Sequence, residues 1–80
     1  MKKIKEKIFH YTAFFESNEQ GGYTVTVPTL PGLVTEGRNL NEAKAMVQDA
    51  IRCYIEGLRK AKEEIPQEGE VAQVRLTVKV

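Results

Sequence analysis

The sequence predicts an α+β fold of order β-β-β-α-β, an antiparallel sheet with one long amphipathic helix on one face. Three observations predict it. Tyr23-Thr24-Val25-Thr26-Val27 alternates strictly between Gly21-Gly22 and the punctuated run Pro28-Thr29-Leu30-Pro31-Gly32. Leu40, Ala43, Val47, Ala50, Tyr54 and Leu58 recur at steps of three and four. Near the C-terminus, Val74, Leu76, Val78 and Val80 alternate with Gln73, Arg75, Thr77 and Lys79.

The first strand is expected from about Ile4 to Ser17. Phe9, Tyr11, Ala13 and Phe15 share one parity, and Ile8, His10, Thr12 and Phe14 the other. The polar loop Ser17-Asn18-Glu19-Gln20-Gly21-Gly22 leads into the second strand, Tyr23 to Val27, as an antiparallel hairpin. Pro28 stops that strand because it brings no N–H to a ladder. Pro31-Gly32 turns the chain, since proline presets φ and glycine accepts φ > 0. A short third strand, Leu33 to Glu36, is closed by Gly37.

Asn39 then caps a helix, with Glu42 three residues on completing a capping box. Met46, Ile51 and Ile55 widen its apolar stripe, while Lys44, Gln48, Asp49, Arg52, Glu56, Arg59 and Lys60 lie mostly off it. The helix is expected to run to about Lys62, before Pro66 and Gly69. The fourth strand is Val71 to Val80.

Eighty residues suit a single domain, 1–80, with a thin core. Hydrophobic residues make up 41% and charged residues 29%, the balance of a soluble globular protein. Twelve basic residues against eleven acidic ones argue against a dedicated nucleic-acid binder. Lys2, Lys3, Lys5 and Lys7 read as a solvated terminus, with a phosphate-contacting arm as the alternative. The lone Cys53 cannot form an internal disulfide, and no signal peptide or membrane span is evident, so a cytoplasmic location is expected.

Catalytic chemistry finds little support. His10 has no carboxylate or cysteine at ligand or relay spacing. Cys53, beside the apolar stripe, reads as a buried or half-buried thiol. Glu6, Glu16, Glu19 and Glu36 share no parity that would converge them on metals. The glycines match no phosphate-loop spacing. Glu63-Glu64 and Arg59-Lys60 read as a solvated helix end. No cofactor or metal is expected.

The uncovered sheet face is more informative. If Tyr11, Val25 and Val74 face the helix, then Ile8 and Phe14 face away, with Thr24, Thr26, Gln73, Arg75 and Thr77. Apolar residues among threonines and charges suggest a partner surface at Ile8, Phe14, Thr24, Thr26 and Arg75. Scattered exposed hydrophobics are the alternative. Unpaired edges and Phe14 favour self-association into dimers or higher oligomers.

A set of spaced motifs resembles the signature of the HicB family of antitoxins and its short relatives. They are Gly22-Tyr23, Pro28-Thr29-Leu30-Pro31-Gly32, Thr35-Glu36-Gly37 and Leu40-Asn41-Glu42-Ala43. Tyr11-Thr12-Ala13-Phe14-Phe15-Glu16 and Ile65-Pro66 extend the likeness to roughly residues 8–66. Leu33 stands where cysteine is frequent, and Arg38-Asn39 where Asp-Thr is usual. The resemblance implies part of a ribonuclease-H-like sheet without its acidic catalytic set. It also implies a non-enzymatic protein that binds a small mRNA-cleaving toxin, HicA, and masks its active site. The catalytic histidine in such a pair is the toxin's, so His10 inherits no role. Longer family members add a C-terminal DNA-binding module. No counterpart precedes Val80, and operator binding is not expected. The alternatives are an orphan structural or regulatory oligomer of the same fold, a weak nucleic-acid-binding module using the N-terminal lysines with Arg52, Arg59 and Lys60, or a degraded nuclease.

Overall fold

The computed structural model describes residues 8–80. Three strands, β1 (Phe14–Ser17), β2 (Tyr23–Thr26) and β3 (Val34–Gly37), precede one helix, α1 (Leu40–Lys60). The strands form an antiparallel meander in the order β1-β2-β3. Three antiparallel strands and one long helix give the α+β arrangement expected from the alternating and helical periods.

Each connection has a local cause. Between β1 and β2, the Asn18 side-chain oxygen accepts the N–H groups of Gln20 (3.1 Å) and Gly22 (2.9 Å), an Asx-type turn. Gly21 sits there at φ +85°, in the left-handed region that glycine enters without a Cβ clash. Between β2 and β3, Leu30 N–H donates to the Val27 carbonyl (2.9 Å) and Leu33 N–H to the Leu30 carbonyl (3.2 Å). This pair of turns drives Leu30 into the core, where it is fully buried with Val25 and Val27. Leu33, Ala43 and Val47 complete that cluster, and Tyr11, Phe15, Ala50, Ile51 and Tyr54 pack round it.

Asn39 caps α1 as expected, its Oδ1 accepting Glu42 N–H at 2.8 Å. The reciprocal half of the capping box is displaced by one residue. Glu42 Oε2 accepts from Arg38 N–H (3.0 Å) and Arg38 Nε (2.9 Å), so the carboxylate fixes the residue before the cap. At the other end, Glu63 N–H reaches the Leu58 carbonyl and Lys62 N–H the Arg59 carbonyl. That is a Schellman closure, with Lys62 in the left-handed position at φ +56°. The helix therefore ends two residues short of the expected Lys62.

The apolar stripe packs through Ala43, Val47 and Ile55, whereas Leu40 and Met46 are exposed. Cys53, expected buried or half-buried, is exposed, because its position falls outside the angular range that the sheet covers.

Three expected strands are corrected. Among the described residues the first begins at Phe14, and the part expected from Ile4 up to Ile8 lies outside those described. Extending the β1/β2 register outward sets Thr12 opposite Pro28, where the ladder loses a donor. The expected fourth strand, Val71 to Val80, is not formed. Those residues are exposed throughout and pair with no strand among the described residues. Val74, expected to face the helix, is 69% exposed. Alternation alone makes a sequence competent to pair and supplies no partner. The third strand is displaced by one residue, since Leu33 spends its N–H on the turn.

Candidate interaction surface

Register decides which side chains share a face. Phe15, Val25 and Thr35 align on the helix side, where Val25 is fully buried. The Thr35 hydroxyl is also buried there, without a hydrogen-bond partner among the described residues. On the opposite face, Phe14, Thr26 and Val34 form one row across the sheet, and Glu16, Thr24 and Glu36 form the next. The open face is thus half apolar and half acidic. Thr24, Thr26 and Phe14 are half-buried, and Val34, Glu16 and Glu36 are exposed.

Of the five residues expected on a partner surface, Phe14, Thr24 and Thr26 come together. Ile8 lies upstream of β1 and is 81% exposed. Arg75 lies on the unpaired C-terminal segment and is not on the sheet face at all. Strand parity alone did not reveal Val34, Glu16 and Glu36 as neighbours of Phe14 and Thr24. The signal that could have found them is the hairpin register, once the loop lengths around Gly21-Gly22 and Pro31-Gly32 are used to set it.

Several motif residues serve packing. A Cβ on Gly22 would run into the Gly37 carbonyl oxygen, and a Cβ on Gly37 would run into the Ala43 backbone. These two glycines let the β1–β2 loop, the end of β3 and the start of α1 approach closely. Gly32 holds φ +83° in the turn before β3. Pro31 presents its carbonyl to the Tyr54 hydroxyl at 3.1 Å. Ala43, the residue Gly37 meets, is fully buried.

A second polar site closes the chain at the other end of the sheet. Glu68 accepts from Thr12 N–H (2.7 Å) and the Thr12 hydroxyl (2.6 Å), and the Thr29 hydroxyl donates to it at 3.1 Å. The Tyr11 hydroxyl donates to the Pro66 carbonyl at 2.6 Å. The carboxylate thus takes the Thr12 N–H, two positions upstream of Phe14, where the β1/β2 pairing begins. Its hydrogen bonds from Thr12, chiefly from the hydroxyl and then the N–H, hold its pKa below the ordinary carboxylate value, with Thr29 adding to them against partial desolvation. Burial, and then the nearby Glu68 charge, pushes the Tyr11 phenol up. Nearby, the Phe9 and Tyr11 rings stack with centroids 6.3 Å apart, and the Arg59 guanidinium lies 5.8 Å from the Phe9 centroid.

His10 and Cys53 are both exposed. Among the described residues, no group of three His, Cys, Asp or Glu side chains is placed to hold a metal ion. No described helix is long and apolar enough to cross a membrane.

Fold and surface together define a small α+β domain whose helix covers one sheet face and leaves a mixed apolar and acidic face open. Residues 11–79 match the model of the HicB-like antitoxin of bacterial toxin–antitoxin systems. The chain belongs to the HicB-like antitoxin family. It is 45% identical over 58 residues to a UPF0150 protein of Thermoplasma acidophilum, covering 72% of this chain and 84% of that one. A UPF0150 protein of Synechocystis is 33% identical over 63 residues, covering 79% and 80% of the two chains. Antitoxin HicB 1 of Photorhabdus laumondii is 36% identical over 67 residues, which are 84% of this chain and 43% of the antitoxin.

Proposed function

We propose that this protein neutralises a small HicA-type mRNA-cleaving toxin by binding it and masking its active site, without itself being an enzyme. It would act in the cytoplasm and self-associate. Membership of the HicB-like antitoxin family carries this reading. The open face supports it physically. Phe14 and Val34 offer apolar contact, and the adjacent Glu16 and Glu36 offer charge complementary to a basic partner. The same acidic row would repel a phosphate backbone, which favours a protein partner over nucleic acid. The exposed edges of the sheet could add main-chain pairing.

The test is co-purification with a HicA-type toxin, together with rescue of cells expressing that toxin. Val34→Lys combined with Glu16→Lys is expected to weaken binding by at least about tenfold, roughly 1.4 kcal/mol, while leaving helix content unchanged. A chain that neither binds nor rescues would refute the antitoxin role. Full binding by the double variant would move the contact off this face.

A further inference from the structure

The C-terminal segment has the alternation of a strand and pairs with no strand among the described residues. Val74, Leu76 and Val78 are 69%, 80% and 75% exposed, on one parity of a segment whose other parity carries Gln73, Arg75, Thr77 and Lys79. Its origin is fixed. Pro66 is held by Tyr11, and Glu68 by Thr12 and Thr29, while Gly69 just beyond has open space around it. The chain is therefore clamped to the end of the sheet at Glu68 and released at Gly69. The radius of gyration is 15.7 Å, against about 12 Å for a compact domain of this length.

A long alternating apolar strand in water is a liability unless it is covered. We infer that it is covered by a second copy of this chain, in a reciprocal exchange that adds residues 71–80 of each copy to the β1 edge of the other. Three features select that edge. The run Ile8–Ala13 leads straight into β1 and carries no strand of its own, so Ile8–Ser17 offers ten residues on which a ten-residue tail could build a longer edge pairing. β3 offers only four residues between a turn and a helix start. On the helix side, Tyr11, Ala13 and Phe15 are only partly buried, and Val74, Leu76 and Val78 would extend their cover. On the open side, Arg75 and Lys79 would lie on the face that carries Glu16. A groove of about 400 Å³ lined by Ile8, Phe9, His10, Tyr11, Gln67 and Glu68 opens at the start of this edge.

The size is adequate for a dimer. A ten-residue strand is about 33 Å long, and with its side chains about 10 Å deep. Two such strands, each laid on an edge, remove on the order of 1,300 Å² from water when both sides are counted, within the range of specific interfaces. Pairing the two tails only with each other would leave an isolated two-stranded ribbon, which is marginal in water. The exchange is independent of any toxin, so it stands or falls separately from the proposed function.

The experiment compares the full chain with Leu76→Asp/Val78→Asp by sedimentation equilibrium, and adds intermolecular NOEs in a mixture of isotope-labelled and unlabelled copies. The two positions are exposed, so the substitutions leave the monomer fold intact, which far-UV circular dichroism checks. Expected are a wild-type dimer, a dissociation constant raised at least about 100-fold in the variant, and intermolecular NOEs between residues 73–79 and residues 8–16. A wild-type monomer at high micromolar concentration would overturn the inference. So would a variant that dimerises as tightly as wild type, or tail contacts to β1 that are purely intramolecular.

Discussion

Leu30 offers the sharpest test of how this small core is built. It comes from a turn, not from a strand or the helix, yet it is fully buried between Val25, Val27, Leu33, Ala43 and Val47. Leu30→Ala removes about three methylene equivalents at about 0.8 kcal/mol each. The sheet and helix hold the walls apart, so a cavity term adds to this, and the expected loss is about 3 kcal/mol within the usual 2–5 for such truncations. A domain of this length has only about 4–12 kcal/mol in total. The midpoint of thermal unfolding should therefore fall by about 12–24 °C. Urea denaturation followed by circular dichroism should show a lower midpoint at an unchanged slope. Leu40→Ala is the control, because Leu40 is 46% exposed at the helix start and should cost less than about 1 kcal/mol. A Leu30→Ala protein within about 1 kcal/mol of wild type, or a control that loses as much, would refute the assignment of this turn to the core.

Other substitutions probe the backbone. Gly37→Ala should destabilise by at least about 2 kcal/mol in urea unfolding, because the new methyl meets the Ala43 backbone, which no rotamer change can move. Gly57→Ala, on the same helix but facing open space, should instead stabilise by about 0.5–1 kcal/mol; equal effects would contradict the close approach of β3 and α1. Lys62→Gly should raise stability by up to about 1 kcal/mol by relieving the left-handed residue of the Schellman closure, and a loss would contradict that conformation. Glu68 has a depressed pKa in the folded state, so its contribution is fully present above the ordinary carboxylate value and disappears as pH falls through the depressed one. The stability gap between wild type and Glu68→Gln, measured by urea unfolding across acidic pH, should narrow toward low pH; a constant gap would show that the carboxylate charge is irrelevant to the clamp.

The elements that the sequence made legible are those whose signal is local. Strand β2 shows in its alternation and in the glycine and proline around it, and the helix start shows in Asn39 and Glu42. The less legible features depend on contacts between distant residues. Nothing near Leu30 says that a turn leucine fills the core. Nothing near Glu68 says that its carboxylate bonds Thr12, 56 positions away. The tail misled for a related reason. Its alternation is as regular as that of β2, but a strand is a relation between two segments, and period 2 reports only one of them. The acidic row of the open face needed register for the same reason, since Glu16 and Glu36 become neighbours only through Thr24.

The Glu68 clamp has a kinetic consequence. Among the described residues every strand pairing joins segments adjacent in the chain, and the helix follows directly from the strand it packs against. Such local closures are entropically cheap, so the meander and helix should assemble quickly and early. The Thr12–Glu68 contact joins the two ends of that unit and can form only once it exists. It should behave as a latch: Glu68→Gln is expected to accelerate unfolding in stopped-flow experiments and leave the refolding rate almost unchanged. A slowed refolding limb would place the latch in the folding nucleus instead. With the refolding rate unchanged, kinetic persistence of the native state is set at residue 68, well away from the core that determines how fast the chain folds.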